Sequence, residues 1–572
     1  MRRGAGGAGR HLVRFTAGLR GKAPAPWVAM SFLSPSLLLA ALPLASSGWS
    51  SVVQSSNSTH EGGQLAEEGP IPWGAAALGP EGGDDDVVTV ELDATTRRQR
   101  IFGFGGAFTE AAGVAFSRLS AQGQARVLSR YWGAEGLGYS TGRVAMNSPD
   151  FALGHYSYAN TSGDTALASF QHGLPRDNEY VLPLLRAALR RSAVPLRLFS
   201  APWSPPAWMK VPFDPGGQGA MDVCRPDSLR PELRDTWAKY FSLWHTAMAK
   251  QIGQPFWAFS AQNEPLAHGH MWDCCGYTLQ NYTDFVSNHL MPVMQADHPE
   301  LRFLAFDHNP DAIEAWVNAV FADAATKEWA FGSAVHWYSA PAQRGAALNR
   351  THASHPDKPI LHTEGCVCRN LFYKNQSAWW SVGEVYVRIT EPFPLDLPNL
   401  HALLFLRRRH RWPQGVGLFQ YLQNWAVGFT DWNLLLDSDG GPSHDRRFGC
   451  NAPMMLDAAA PGGVAIQAPY YFLAHFSKFL PENSTVLGAM AYEGARPAPL
   501  GSFYYDVGAE GADGKRLAVL GAEQPNGTSV LIVMNTASTA VRYRLVDPRM
   551  TGTAALSIPP HAIQTLRWNA PS

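Results

Sequence analysis

The sequence predicts an α/β protein, a (β/α)8 TIM barrel with an accessory all-β sandwich formed mainly by the C-terminus. Three observations predict it. Short apolar strands alternate with amphipathic helical stretches from Gly103 onward, which is the signature of parallel strands joined by crossover helices. Eight such strand candidates can be counted before position 481. Beyond it the helical period disappears and short strands follow one another, separated by turn residues, as in a sandwich. At 572 residues the chain has room for a barrel of roughly 250 to 400 residues and a second module.

Taken in order, residues 1–46 read as a targeting segment. Arg2, Arg3, Arg10, Arg14, Arg20 and Lys22 precede an apolar run over 27–45 that ends in small residues, LASSG, so a cleaved signal peptide is expected. A signal anchor is the alternative, weakened by Pro35 and Pro43. Sequons at Asn57, Asn160, Asn281, Asn349, Asn375, Asn483 and Asn526 agree with the secretory pathway and a glycoprotein. Residues 47–85 are rich in Gly, Ser, Ala and acidic side chains without periodicity and are expected to be a linker or poorly ordered arm. Residues 86–102 alternate apolar and polar side chains, as a strand pair contributed to the sandwich would.

The barrel is expected over 103–481, with strands at 102–108, 139–146, 196–203, 257–263, 302–307, 333–338, 359–364 and about 427–434. Between them lie helical stretches such as 232–251, whose apolar positions recur three and four apart,. No GxGxxG opens a helix after the first strand, so a nucleotide-binding doubly wound sheet lacks its phosphate cradle. Gly103, Gly105 and Gly106 read instead as a bend at a strand end. A last barrel helix near 470–480 is followed by strands at 503–506, 516–520, 529–535, 540–546 and 563–568, the sandwich of 482–572.

Composition narrows the function. A formal net charge of −1 gives no argument for nucleic acid. The 19 Trp, 18 Tyr and 28 Phe suit a carbohydrate site, although most such rings are core. Six cysteines at this length imply no dense disulfide framework, and Cys366 and Cys368 match neither a redox CxxC nor a zinc site. Free or singly bridged cysteines are expected, with no metal and no cofactor.

Two strands, FWAFSAQNEP at 256–265 and PILHTEGCV at 359–367, each end in a glutamate at the face where barrel active sites lie. A retaining glycosidase needs two carboxyl groups across one sugar, roughly 5 to 5.5 Å apart. Glu264 is expected as acid/base and Glu364 as nucleophile. Two carboxyls this close cannot both ionise cheaply, so Glu264 is expected to hold a proton and activity to peak at acid pH. Asn263 can hold the sugar's 2-hydroxyl; read alone, Asn-Glu-Pro is equally a strand-end turn. Arg143 can keep a nearby carboxylate ionised, with a surface arginine as the alternative. His336 and Tyr338 share one face of their strand, Tyr338 as a donor to the nucleophile and His336 as its support, or else both as satisfied core groups.

These residues lie in blocks that resemble the glucosylceramidase (acid β-glucosidase) family of retaining glycoside hydrolases: FGFGGAFTEAAG at 102–113, GLGYSTGRVAMNSPDF at 136–151, SAPWSPPAWMK at 200–210, SAQNEP at 260–265, AVHWY at 334–338, TEGCV at 363–367, FTDWNLLL at 429–436 and HFSKFLP at 475–481. The resemblance implies hydrolysis of glucosylceramide to glucose and ceramide, with Glu264 and Glu364 as catalysts. It places substrate contacts at Asp150, Trp203, Asn263 and Trp432. Asp150 can accept from two hydroxyls, where a helix cap or surface charge is the plain reading. Trp203 and Trp432 can offer ring faces to sugar C–H groups or can be ordinary core. A glycolipid substrate, an activator protein and an anionic lipid surface are the implied partners, in a lysosome-like acidic compartment or outside the cell.

The chain departs from the family in two places. Its N-terminal arm lacks the cysteines of animal members, and a segment at 388–414 with PFPLDLPNL and LFLRRRHRW is extra. That segment reads as a basic lip for peripheral membrane contact or as a solvated loop. A polysaccharide hydrolase of the β-1,6-glucanase or xylanase type is the alternative enzyme, and a non-catalytic glycolipid-binding barrel the alternative outside enzymes.

Overall fold

Eight short segments buried almost throughout, among them Gly103–Phe108, Thr141–Met146, Ile360–Glu364 and Gly428–Asn433, can only be strands covered on both faces, as parallel strands are. In the computed structural model, which describes residues 49–56, 64–74, 87–212, 217, 219–270, 272–339, 341–366, 368, 417–444, 449–494, 517–535 and 537–571, they are joined by Arg197–Pro202, Ala258–Ser260, Arg302–His308 and Ala330–His336. Together they form one eight-stranded sheet in which neighbours in sequence are neighbours in space, and the eighth strand pairs in parallel with the first. A single parallel bridge between Ile360 and Ala426 closes the ring between the seventh and eighth strands. This is the predicted barrel.

Its interior is filled by side chains. Phe199, Ala258, Leu304, Ala334, Leu361 and Val427 form one buried cluster, backed by Phe102, Trp257 and Phe331, so the centre is core and the chemistry must lie at the mouth. Gly105 serves close approach rather than a bend, because a Cβ there would lie 2.0 Å from the Thr141 carbonyl oxygen. Outside, helix Arg234–Ile252 turns Trp237, Tyr240, Phe241, Trp244 and Met248 inward and stops at Gly253, whose φ of 78° supplies the left-handed cap,. The last barrel helix is Ala468–Ser477.

The second module is a nine-stranded sheet around Val90, Leu92, Leu531, Val533, Tyr543, Leu566 and Trp568. Four of its strands were legible in the sequence: Leu517–Glu523, Thr528–Asn535, Val541–Val546 and Ala562–Asn569. Thr485–Tyr492 and Ala554–Ile558 were not. The stretch expected as a strand pair at 86–102 is one long strand, Val88–Arg100, which pairs with Thr485–Tyr492 on one side and Val541–Val546 on the other.

The expectation of an unpatterned arm over 47–85 is corrected at two places. Ser50–Ser56 is a strand paired along its whole length with Ala562–Asn569, and Ala66–Gly69 pairs with it in turn. Small polar residues hid it, but Ser51 and Ser55 are buried, and Ser55 Oγ meets His475 Nε2 at 3.0 Å. The cysteine expectation is corrected too. Cys224 bonds Cys274 and Cys368 bonds Cys450, leaving Cys275 and Cys366 as buried thiols. The signal segment 1–46, the extra segment 388–414 and the strand expected at 503–506 lie outside the described residues. Among the described residues no helix is long and apolar enough to cross a membrane.

Candidate active site

The predicted site residues come from different strands and meet at one end of the barrel. Asp150, Trp203, Asn263, Glu264, Tyr338, Glu364 and Trp432 all line one cavity of about 420 Å³. Arg143 and His336, fully buried, lie beneath it. One carboxylate oxygen each of Glu264 and Glu364, together with a ring nitrogen of His336, all fall within 4.8 Å of one another. Both glutamates are 6% exposed, so they face the cavity from a largely dry floor.

Local backbone conformation aims these groups. Glu364 is the last residue of the seventh strand. Glu264 lies past the end of the fourth strand, with a left-handed φ of 52°, and its N–H donates to the Asp307 carbonyl at 3.0 Å. Such a conformation is costly for a residue with a side chain and persists where the surroundings enforce it. Phe306 and Asp307 are left-handed as well, with φ of 84° and 72°, where the fifth strand's register shifts against the sixth. That irregularity turns Asp307 inward.

Arg143 is the hub. Its guanidinium donates to Glu364 Oε2, to Asn263 Oδ1 at 2.8 Å and to Asp307 Oδ2 at 2.9 Å. Tyr338 OH donates to the other oxygen of Glu364 at 3.0 Å, so two donors fix the plane of that carboxylate. His336 bridges the remaining acids, with Nε2 3.1 Å from Asp307 Oδ1 and Nδ1 3.3 Å from Glu264 Oε1. Asp307 also accepts from Ser260 Oγ at 2.5 Å and Thr363 Oγ1 at 2.6 Å. Trp203 and Trp432 stack at 5.0 Å between ring centroids, with Arg143 over both rings. Each tryptophan therefore has one face against the other, and they line the cavity while remaining 1% and 3% exposed.

The charge pattern differs from the sequence expectation. Burial raises the Glu264 carboxyl, but the imidazoles of His308 and His336 outweigh it and hold it below its ordinary range, at about 2, opposite in direction to the expectation of a proton-bearing Glu264. Burial lowers His336, yet Glu364, Asp307 and Glu264 raise it to about 9. The carboxyl pushed well above its ordinary range is that of Asp150, through burial and the nearby charges of Glu364 and Glu264. Asp307 is driven far below it, where Arg143 and His336 overcome burial. The expected acid optimum thus loses the support of a protonated Glu264.

The sign of the pH effect on stability follows by linkage. His336, raised from 6.5 to about 9, contributes stability that is complete below about pH 6.5 and is lost as pH climbs through 9. Glu264, lowered from 4.5 to about 2, contributes above about pH 4.5 and ceases to as pH falls through 2. Both contributions are therefore whole between those two ordinary values, and melting temperature should fall on either side. A His336→Asn variant whose alkaline limb stays as steep as that of the parent would contradict this assignment.

Asp307 and His308 were not picked out from the sequence. The signal was present, since Asp307 closes the fifth strand candidate as Glu364 closes the seventh, but a lone strand-end aspartate has no partner until the barrel brings Arg143 to it.

Comparison with known proteins bears on this geometry. The family model described as the glycosyl hydrolase family 30 TIM-barrel domain matches residues 101–386 and 414–480, and the family 30 beta sandwich domain matches 507–566. The break between 386 and 414 coincides with the extra segment. Lysosomal acid glucosylceramidase of Mus musculus is 31% identical over 485 residues, covering 83% of this chain and 82% of that protein. Endo-1,6-beta-D-glucanase BGN16.3 of Trichoderma harzianum is 25% identical over 464 residues, covering 79% and 83%. The crystal structure of SrfJ from Salmonella typhimurium superposes with a TM-score of 0.71 at 26% identity, covering 91% of this chain and all of that one.

Proposed function

Because the chain belongs to glycosyl hydrolase family 30, we propose that it is a retaining β-glucosidase that hydrolyses glucosylceramide to glucose and ceramide. The approach of Glu264 and Glu364 oxygens to within 4.8 Å carries the retaining mechanism. That spacing suits a direct double displacement and leaves no room for a water held between the carboxylates. The glucosylceramidase relative carries the substrate.

In this reading Glu364, held by Arg143 and Tyr338, attacks the anomeric carbon while Glu264 gives a proton to the departing oxygen. Ceramide leaves. Glu264 then takes a proton from water, which cleaves the glycosyl ester and restores Glu364. His336, raised by Glu364, Asp307 and Glu264 and with Nδ1 3.3 Å from Glu264 Oε1, is placed to pass on the proton that Glu264 delivers. An uncharged sugar that seals the cavity from water favours the neutral pair, a protonated carboxyl beside a neutral imidazole, over the charged one. Asn263 and Asp150 face the sugar hydroxyls. Leu266, exposed, and Trp272 line the same cavity and offer apolar surface to the lipid.

The relative named as lysosomal supports a glycolipid substrate and a secretory route to an acidic compartment, and an activator protein or anionic lipid at the entrance is proposed from the family resemblance of the sequence. A second reading, endo-hydrolysis of a β-1,6-glucan, is favoured by the glucanase relative that spans most of the chain. Paired assays on glucosylceramide in mixed micelles and on β-1,6-glucan decide between them. Release of oligosaccharides from the glucan with no glucose from the lipid would sink the lipid substrate while leaving the retaining chemistry intact.

A further inference from the structure

We infer that the loops above the barrel carry a transition-metal site, separate from the catalytic glutamates, formed by His155, Asp273 and His444 and suited to Zn²⁺. One ligand-type atom from each of the three lies within 4.8 Å of the others. Both imidazoles lie near the same carboxylate oxygen: His155 Nδ1 is 2.6 Å and His444 Nε2 3.8 Å from Asp273 Oδ1. Their rings face each other at 4.4 Å between centroids with a 58° tilt. Two neutral imidazole donors and one carboxylate are a donor set for a borderline cation. Around a tetrahedral ion with bonds of roughly 2.0 to 2.2 Å, neighbouring donor atoms are about 3.3 to 3.5 Å apart. The two contacts straddle that separation, so a small rotation of each imidazole admits the ion.

The surroundings are arranged as a metal site requires. Asp273 is fully buried, and its second oxygen accepts from Ser148 Oγ. That hydroxyl in turn accepts from the Tyr156 N–H at 2.9 Å. An outer hydrogen bond of this kind fixes the orientation of a ligating carboxylate. The His155 side chain is 45% exposed, which gives an entry path and leaves a fourth position for water.

Occupancy would reach the active site through Asp150. Its carbonyl accepts from the His444 N–H at 3.3 Å and from Ser443 Oγ at 2.7 Å, and Ser148 lies two residues before it. The ion would thus tie together the loops that follow the second, fourth and eighth barrel strands. It would steady one wall of the cavity without touching the reacting bond.

The test uses the full chain, stripped with a chelator and titrated with ZnCl₂ by calorimetry, with Co²⁺ as a spectroscopic substitute. One equivalent should bind at micromolar Kd or tighter and raise the melting temperature, and Co²⁺ should give the visible absorption of a four-coordinate centre. His155→Asn and His444→Ala should each weaken binding at least 100-fold and abolish that absorption. Ser148→Ala should weaken it about 10- to 100-fold, as loss of an outer partner does. Far-UV circular dichroism checks that each variant folds, and His155→Asn, on an exposed side chain, is the safest. No uptake of Zn²⁺ would overturn the inference. So would uptake unchanged in both histidine variants, which would move the ion to Cys366 or to the catalytic glutamates.

Discussion

Glu364→Gln is expected to lower kcat on the cleaved glycoside by about 10⁵-fold or more, the scale at which a covalent nucleophile is lost, with the fold kept and the melting temperature lowered, because buried Arg143 loses one charged partner,. Glu264→Gln should cost about 10²- to 10⁴-fold, the range for a general acid/base, and less on substrates whose leaving group needs no proton. Azide added to Glu264→Ala should restore turnover and give the β-glycosyl azide, because a small anion can attack the glycosyl ester where activated water cannot. A glucose-configured mechanism-based inactivator should label Glu364. Should Glu364→Gln keep even a hundredth of the parent rate, or should the label map elsewhere, the assignment of roles fails. The same outcome would leave the family and the fold untouched, since neither depends on which acid attacks.

Arg143→Met should be the most damaging single change to the folded state at the site. The guanidinium is fully buried and donates to Glu364, Asn263 and Asp307 at once, and its removal leaves Asp307 and Glu364 buried with fewer counter-charges. Breaking a buried charge pair from one side costs about 3 to 5 kcal/mol, and Arg143 serves two. Denaturant unfolding should show that loss, and the surviving protein should have a depressed kcat because Glu364 is no longer held in one orientation. Arg143→Lys should recover charge but not the fork that reaches three acceptors. A variant as stable as the parent would mean that His336 alone neutralises Asp307.

The barrel strands and the two glutamates were readable because each leaves a local mark: a short apolar run with an acid at its C-terminal end. Strands Ser50–Ser56 and Ala554–Ile558 leave none. The first is built from serines whose burial depends on a partner strand some 510 positions away, and the second is held by its ladder with Val541–Val546 and by a lone bridge from Ala554 to Trp73. Proton placement was illegible for a related reason. Glu264 and Glu364 alone imply that one must be neutral, but His336 and Arg143 supply positive charge that sequence spacing does not locate. Asp307, central to that balance, turns inward only because the backbone is left-handed there.

The pairing of Ser50–Ser56 with Ala562–Asn569, the first and last strands among the described residues, has a consequence for biosynthesis. Gln54 and Gln564, opposite one another in the two strands, are 510 positions apart, so the opening segment leaves the ribosome long before its mate exists. The intervening chain can organise while that edge waits unmatched, and contacts of such sequence separation are slow to form. A nascent chain halted before position 562 should therefore carry a proteolytically open stretch at 50–56, which closes once residues 562–569 have been made.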